Sequence, residues 1–376
     1  MTLSPSPSTD RDGPVAGASA IAARLADLGA RYDAAPVFPI DSMRCLAAAG
    51  LHRAFAPVAS GGQTFCDQAS RYRVLMDALR IVGRADLSVG RLYEGHVNAL
   101  MLFEWYGSSE QHARLKYELN RGAFYGVWAT EQPPGTALSV AADGLRTLDG
   151  GKCFASGAGG LAFALVTAQP AKGARRLVVV PANDGDRADV SEWRVRGMRA
   201  TNSGLYDLTG IAVKDTDLLG MPGDYDRDPR FTTGAWRFTA VQLGGIEALL
   251  AETRLAMSEA ARGDPLNRAK FADCVAAART AYLWVRECAV RAARDDPDGP
   301  AFARLTRGVV ERAALDVMEL SSRIVGTRSA MNGQRIDKII RDLALYLRQA
   351  GPDHARDQAA LAWLDHDAWG DGDGLW

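Results

Sequence analysis

Apolar residues recur at helical spacing in the first third of the chain and again in the last third. In the first third, this pattern predicts helices over residues 18–28, 39–49 and 66–82, and Ser108 is a suitable cap for a further helix. In the last third, long apolar stripes predict a helical bundle formed by residues 234–261, 269–295, 300–328 and 337–347.

The middle of the chain has a different pattern. Over residues 126–168, short apolar runs alternate with glycine-containing turns, which predicts strands, and residues 177–181 form the clearest buried strand. The predicted fold class is therefore α+β and mostly α. We expect a disordered tail (1–17), an N-terminal helical domain (18–125), a central β domain (126–222) and a C-terminal helical bundle (234–376).

The composition is that of an ordinary soluble protein, with 47% hydrophobic and 24% charged residues. The net charge of −1 gives no reason to expect a nucleic acid or an anionic membrane as partner, and no apolar run is long enough to span a bilayer. The five cysteines form no C-x-x-C pair. They predict reduced thiols, no structural metal and a cytoplasmic location.

Two segments of the middle region carry candidate chemistry. Thr130 and Glu131 precede a Pro-Pro-Gly turn and Thr136. Phe154 and Ser156 are two residues apart, so on a regular strand they would face the same side. An aromatic wall with nearby hydroxyls suits a flat, redox-active ring. An ordinary sheet edge rich in Thr and Ser would have the same sequence pattern.

Several segments, taken in order, resemble the acyl-CoA dehydrogenase family. Residues 130–136 resemble its TEP-x-A-G-S segment, residues 148–158 its L-x-G-x-K-x-F/W-x-T/S-x-A segment, and residues 196–201 its G-M-R-x-T segment. The similarity extends from about residue 85 to 350. It implies a β-barrel-like central domain, a C-terminal four-helix bundle, bound FAD, and a homodimer or homotetramer.

The resemblance also implies roles for particular residues. The flavin ring would be lined by Trp128, Thr130, Phe154 and Ser156. The flavin pyrophosphate would be held between subunits by Arg262, Arg323 and Gly326, although each arginine could equally be a solvated residue at a helix end. Substrate contacts are expected from Thr136, on the thioester side, and from Arg237, which stands where some relatives place the base.

The family's catalytic base is usually a glutamate shortly after an Arg-Asp pair. Here the pair is Arg341-Asp342, and Ala350 occupies the base position. Asp353 or His354 could replace the base if the segment after Pro352 is a loop that turns inward. Glu247 is another candidate, unless it is simply an exposed helical residue. His96 is either a core residue or a functional one.

A further possibility is that no strong base is needed. Flavin-dependent monooxygenases of this fold use reduced flavin and O2 and also lack the glutamate; His354 or His96 would then assist the flavin chemistry or orient the substrate. The sequence thus predicts an FAD-dependent oxidoreductase acting on an acyl thioester or a related small molecule. The alternatives are a monooxygenase with a flavin-reductase or other electron-transfer partner, and a redox-inactive scaffold.

Overall fold

A computed structural model describes residues 13–349 and 351–364. It confirms the predicted fold class, with helices on both sides of a strand-rich middle region. Within the described residues the helices are α1 (Pro14–Ala34), α2 (Ile40–Ala48), α3 (Leu51–Ala54), α4 (Gln68–Ala85), α5 (Leu87–Tyr106), α6 (Ser109–Asn120), α7 (Arg230–Thr233), α8 (Ala235–Ala256), α9 (Glu259–Gly263), α10 (Pro265–Ala293), α11 (Gly299–Val325), α12 (Arg335–Tyr346) and α13 (Pro352–Leu364).

Three of the N-terminal helices, α4, α5 and α6, begin at side-chain caps. Asp86 caps α5 by accepting a hydrogen bond from the Val89 amide at 2.9 Å. Ser108 and Gln111 form a capping box at the start of α6, which confirms the predicted cap. Helix α5 is buried along most of its length. It therefore brings polar side chains into the interior, where they must find partners.

The middle region folds into two sheets. Its strands are β1 (Tyr125–Trp128), β2 (Ala137–Val140), β3 (Arg146–Asp149), β4 (Gly151–Ala155), β5 (Phe163–Pro170), β6 (Arg176–Pro181), β7 (Ala188–Asp189), β8 (Gly204–Asp207), β9 (Ala212–Val213) and β10 (Leu218–Leu219). The larger sheet has the order β10-β6-β5-β2-β3-β9, with β1 parallel to β5, and the smaller sheet has the order β4-β8-β7. The buried strand predicted at 177–181 is β6.

Helix α8 lies at the centre of the C-terminal region and packs against α4, α10, α11 and α12. Its approach to α4 is close because Gly244 has no side chain: a Cβ atom there would lie 2.2 Å from the carbonyl oxygen of Arg80. The adjacent core includes Trp236, which is fully buried. This packing fixes the start of α8 beside the N-terminal helices.

Two segments differ from the prediction. Helix α1 begins at Pro14 and ends at Ala34, so it is longer than the predicted 18–28. The segment after residue 351 is the helix α13 and not a loop, because a proline at the first helical position loses no intrahelical hydrogen bond. Ala350, at the expected base position, lies outside the described residues. The residue bounds of the three domains remain a prediction.

No helix within the described residues has the length and apolar character needed to cross a membrane.

Candidate active site

A cavity of about 1030 Å³ lies between the sheets and the helices. One wall comes from β1, β4 and the segment before β8, and the other comes from α5, α7, α8, α11, α12 and α13. The volume is at the upper end of the range for pockets that hold small molecules and cofactors. It can therefore accommodate a large ring system together with a second, smaller molecule.

The sheet wall brings together the four residues predicted to line the flavin ring: Trp128, Thr130, Phe154 and Ser156. The Trp128 indole donates a hydrogen bond to the Ser156 carbonyl at 3.1 Å, which fixes the indole plane. Phe154 is 67% exposed, so a large apolar ring faces open space in the cavity. Such a ring provides a surface for stacking.

The route by which Phe154 and Ser156 reach the cavity differs from the predicted one. Phe154 has a φ of +53°, in the left-handed region, and the register of β4 shifts between Lys152 and Ala155. Simple alternation along a strand therefore does not hold here. The irregular backbone turns Phe154 outward, while Lys152 is fully buried.

Thr136, the predicted substrate contact, is not among the residues that line this cavity, and its role stays a prediction. Its hydroxyl donates to the Gly151 carbonyl at 3.0 Å, and its amide donates to Glu131 at 3.2 Å. Glu131 also pairs with the buried Lys152 ammonium group. These residues thus form a structural network behind the sheet wall.

A short chain of hydroxyl groups ends at the cavity surface. Ser203 donates to the Ser156 hydroxyl at 3.0 Å, and the hydroxyls of Ser203 and Thr201 are 2.9 Å apart. Because Ser156 accepts in this arrangement, its own proton is free to be donated to a bound molecule. All three side chains line the cavity.

The helical wall contains a buried polar network formed by Arg91, Glu94, Asn98 and Arg237. Glu94 is 2% exposed, pairs with Arg91 and accepts a hydrogen bond from Asn98. Arg237 donates to the Asn98 side-chain oxygen. Burial lowers the pKa of Arg237, and the nearby Tyr72 and Glu94 oppose this shift. The network fixes a cation at the predicted substrate contact Arg237.

Tyr346, at the end of α12, lines the cavity and is 3% exposed. Its hydroxyl has no hydrogen-bond partner in the structure, and burial raises its pKa well above the usual value. An unpartnered buried hydroxyl is costly unless a ligand or water satisfies it. Tyr346 is therefore poised to donate a hydrogen bond to a molecule in the cavity.

His96 does not line the cavity, so the structure gives no support to its catalytic candidacy. It is fully buried; its Nε2 lies 2.6 Å from the His52 carbonyl, and its Nδ1 accepts from the Tyr125 amide at 3.1 Å. These partners require the neutral ring with the proton on Nε2. Burial lowers the pKa of His96 to about 3.

The three other candidates for the base occupy different places. Glu247 accepts two hydrogen bonds from Arg80, at 2.9 and 3.1 Å, and does not line the cavity. Asp353 is exposed and pairs with Arg356, its neighbour on α13. Only His354, of these three, lines the cavity, at an exposed position. Neither of the two carboxylates lines the cavity.

The residues predicted to bind pyrophosphate do not line the cavity of this chain either. Arg262 donates to the carbonyls of Met257 and Arg254 and so covers the end of α8. Arg323 is exposed and pairs with Glu319 at 2.7 Å. Gly326 ends α11 with a φ of +69°. Their assignment to a flavin stays a prediction.

The residues present fit a flavin. The sheet wall supplies an indole and an exposed phenyl ring for stacking and a free Ser156 proton for hydrogen bonding, and Tyr346 supplies an unsatisfied donor. Among the described residues, no cluster of His, Cys, Asp or Glu could hold a metal ion.

Several residues of the site are absent from the sequence prediction, among them Arg91 and Tyr346. A signal for the first was present, because Arg91, Glu94 and Asn98 follow one another at helical spacing on one face of α5. No such signal marks Tyr346, since a tyrosine at the end of an apolar stripe is ordinarily a core residue.

Known proteins share this fold. Residues 229–356 match the family model described as acyl-CoA dehydrogenase, C-terminal domain. The structure superposes on butyryl-CoA dehydrogenase from Megasphaera elsdenii with a TM-score of 0.80 at 17% identity, over 96% of this chain and 99% of the other. Residues 229–356 thus resemble the C-terminal domain of the acyl-CoA dehydrogenase family, and the described chain shares the fold of that family.

Other similar proteins are monooxygenases. A dibenzothiophene monooxygenase from Rhodococcus erythropolis is 27% identical over 60% of this chain and 57% of the relative, and a second from the same species is 28% identical over 40% and 39%. This chain therefore matches little more than half of the length of the first of these two relatives. The complex of the Paenibacillus sp. A11-2 protein TdsC with FMN and indole superposes with a TM-score of 0.84 at 20% identity, over 94% and 98% of the two chains.

Proposed function

We propose that this protein is a flavin-dependent monooxygenase that acts on a small molecule bound between the flavin and the helical wall. The observation that carries the proposal is the charge of the cavity. Among the described lining residues, Glu94 is the sole carboxylate, and it pairs with Arg91. An acyl-CoA dehydrogenase needs a free carboxylate to remove the α-proton, so this cavity suits oxygen transfer better.

The similarity to dibenzothiophene monooxygenases supports the same choice. When bound, a reduced flavin would supply the two electrons that activate O2, so that one oxygen atom enters the substrate and the other leaves as water. A separate flavin reductase would supply that flavin. The acyl-CoA dehydrogenase activity predicted first from the sequence becomes the alternative.

The chain's own residues have defined tasks in this proposal. Trp128 and Phe154 provide the stacking wall, and Ser156 donates a hydrogen bond to the flavin ring. Tyr346 donates its otherwise unpaired proton near the reacting atoms. The network around Glu94 holds the Arg237 guanidinium group in a fixed position.

We also propose that the flavin is FMN, in place of the FAD predicted from the sequence. The predicted pyrophosphate residue Arg262 is engaged in covering the end of α8, and Arg323 pairs with Glu319. Thr327 and Arg328 follow Gly326 where the family has further glycines. The Paenibacillus relative described above was solved with FMN.

Oxygen consumption tests the proposal. The protein is mixed with a flavin reductase, NADH, FMN and a panel of aromatic heterocycles including indole and dibenzothiophene, and O2 uptake and product mass are measured. We expect substrate-dependent formation of a product heavier by one oxygen atom. Anaerobic bleaching of the flavin band by an acyl-CoA, without any oxygenated product, would instead establish a dehydrogenase.

A further inference from the structure

Four arginines line one side of the cavity: Arg230 from α7, Arg304 and Arg307 from α11, and Arg348 just after α12. We call them the arginine group. The carboxylate of Glu94 lies on another helix, α5, and is already paired with Arg91. The arginine group therefore gives its side of the cavity an excess of positive charge.

Aromatic rings help to hold two of these arginines in place. The guanidinium carbon of Arg230 lies 5.1 Å from the Trp105 ring centroid, and that of Arg307 lies 5.4 Å from the Phe238 ring centroid. Arg307 also donates to the Gln349 carbonyl at 3.2 Å. The guanidinium groups are thereby ordered beside apolar surface.

The arrangement places like charges together. Arg304 and Arg307 are three residues apart on α11 and so lie on the same face of the helix. Burial lowers the pKa of Arg307; Glu311 opposes this shift, and the charge of Arg304 adds to it. A bound anion would relieve this repulsion.

The nearest acid on the same helix does not face the cavity. Glu311 lies 3.5 Å from Arg348 and 3.2 Å from Arg356, and it is absent from the cavity lining. Its negative charge therefore offsets part of the positive charge of the arginine group from outside the cavity lining. Among the described residues that line the cavity, arginines outnumber carboxylates.

We propose that the arginine group binds an oxyanion of the substrate, so that the substrate class is an organic acid with an aromatic or apolar body. Guanidinium groups bind carboxylate, sulfonate and phosphate oxygens in a bidentate way. The apolar body then lies against Trp105 and Phe238, which line the same wall. This inference rests on the proposed function, since it names the substrate of the same site.

The flavin phosphate is the other oxyanion that could meet these arginines. The substrate is favoured because the arginine group lies on the helical wall with Trp105 and Phe238, whereas the stacking residues Trp128 and Phe154 lie on the sheet wall. The two sources give different results when flavin and substrate analogues are tested separately.

Binding of benzoate and of its neutral isostere benzamide to the FMN-loaded protein tests the inference without turnover. Calorimetry should show that benzoate binds about 10-fold or more tightly than benzamide, as expected for a charged hydrogen bond. The double variant Arg304→Gln/Arg307→Gln should lose this preference and keep its affinity for FMN. Arg312→Gln is the matched control on α11, because Arg312 is exposed and pairs with Asp316; it should behave like the wild type.

Two results would overturn the inference. One is equal affinity of the wild type for benzoate and benzamide. The other is a double variant that binds FMN more weakly but riboflavin normally, which would assign the arginine group to the flavin phosphate. Failure of the proposed function would appear separately, as absent oxygenation in the coupled assay.

Discussion

Replacing Lys338 by methionine should strongly destabilise the protein, because this lysine joins two buried carboxylates next to the cavity. Its ammonium nitrogen lies 2.8 Å from Asp86 and 2.6 Å from Asp342, whose side chains are 2% and 1% exposed. Asp342 also accepts a hydrogen bond from the amide of Met198, a residue of the cavity wall. The lysine thus connects α5, α12 and that wall.

The size of the effect follows from these contacts. Two hydrogen bonds between charged groups are lost, each contributing about 1.5–3 kcal/mol. Breaking a buried ion pair by removal of one partner typically costs about 3–5 kcal/mol, since a buried charge is left unpaired. We expect the free energy of unfolding of Lys338→Met to fall by about 3–5 kcal/mol at pH 7.

The loss should depend on pH. Burial raises the pKa of Asp342, and the nearby Asp86 raises it further, while Lys338 opposes both effects. Without the lysine, the folded-state pKa of Asp342 rises further above its unfolded value. That contribution to stability is present at low pH and is lost as the pH increases, so the deficit should shrink between pH 7 and pH 5.

Urea unfolding followed by tryptophan fluorescence measures the effect. Arg323→Met is the control, because it breaks an exposed ion pair and should cost less than about 1 kcal/mol. The double variant Lys338→Met/Asp342→Asn should recover part of the loss, since an asparagine oxygen can still accept from Met198. A loss below about 1 kcal/mol for Lys338→Met would refute the reasoning.

Two further predictions concern the remaining buried polar groups. The folded-state pKa of His96 is about 3, against about 6.5 when unfolded, so the unfolded chain binds more protons between these values. Wild-type stability should therefore fall by up to about 1.4 kcal/mol per pH unit below pH 6.5, and His96→Gln should show a shallower slope in urea unfolding; an unchanged slope would contradict this. Tyr346→Phe should leave stability nearly unchanged, because its hydroxyl has no partner, and should lower coupled turnover by roughly 10²-fold. Unchanged turnover would remove Tyr346 from the mechanism.

The elements could be predicted from the sequence to the extent that local signals specify them. Some signals are visible within a short segment of the sequence: helical spacing, the Ser108 cap and the apolar run of β6. The structure agrees with each of them. Pro352 predicts a loop, yet the same residue is suitable at the first position of a helix, and it begins α13. Sequence alone does not decide between these two uses.

The site could be predicted only where a motif specified it. Trp128, Thr130, Phe154 and Ser156 line one cavity, although an irregular backbone brings Phe154 there, and their role toward a flavin stays a prediction. The arginine group could not be predicted, because its members come from three separate elements whose packing depends on tertiary contacts. The position of Glu247 could not be predicted for the same reason. Its carboxylate pairs with Arg80, which is 167 residues away in the chain.

The measurement that tests the central claim most directly is an FMN titration of the purified protein, followed by flavin absorbance and fluorescence. We predict saturable binding of one FMN per chain, weakened in Ser156→Ala and unchanged in Ser139→Ala, an exposed serine on β2 outside the cavity. Saturable binding that survives Ser156→Ala unchanged, or no binding of FMN at all, would contradict the assignment of this cavity to a flavin.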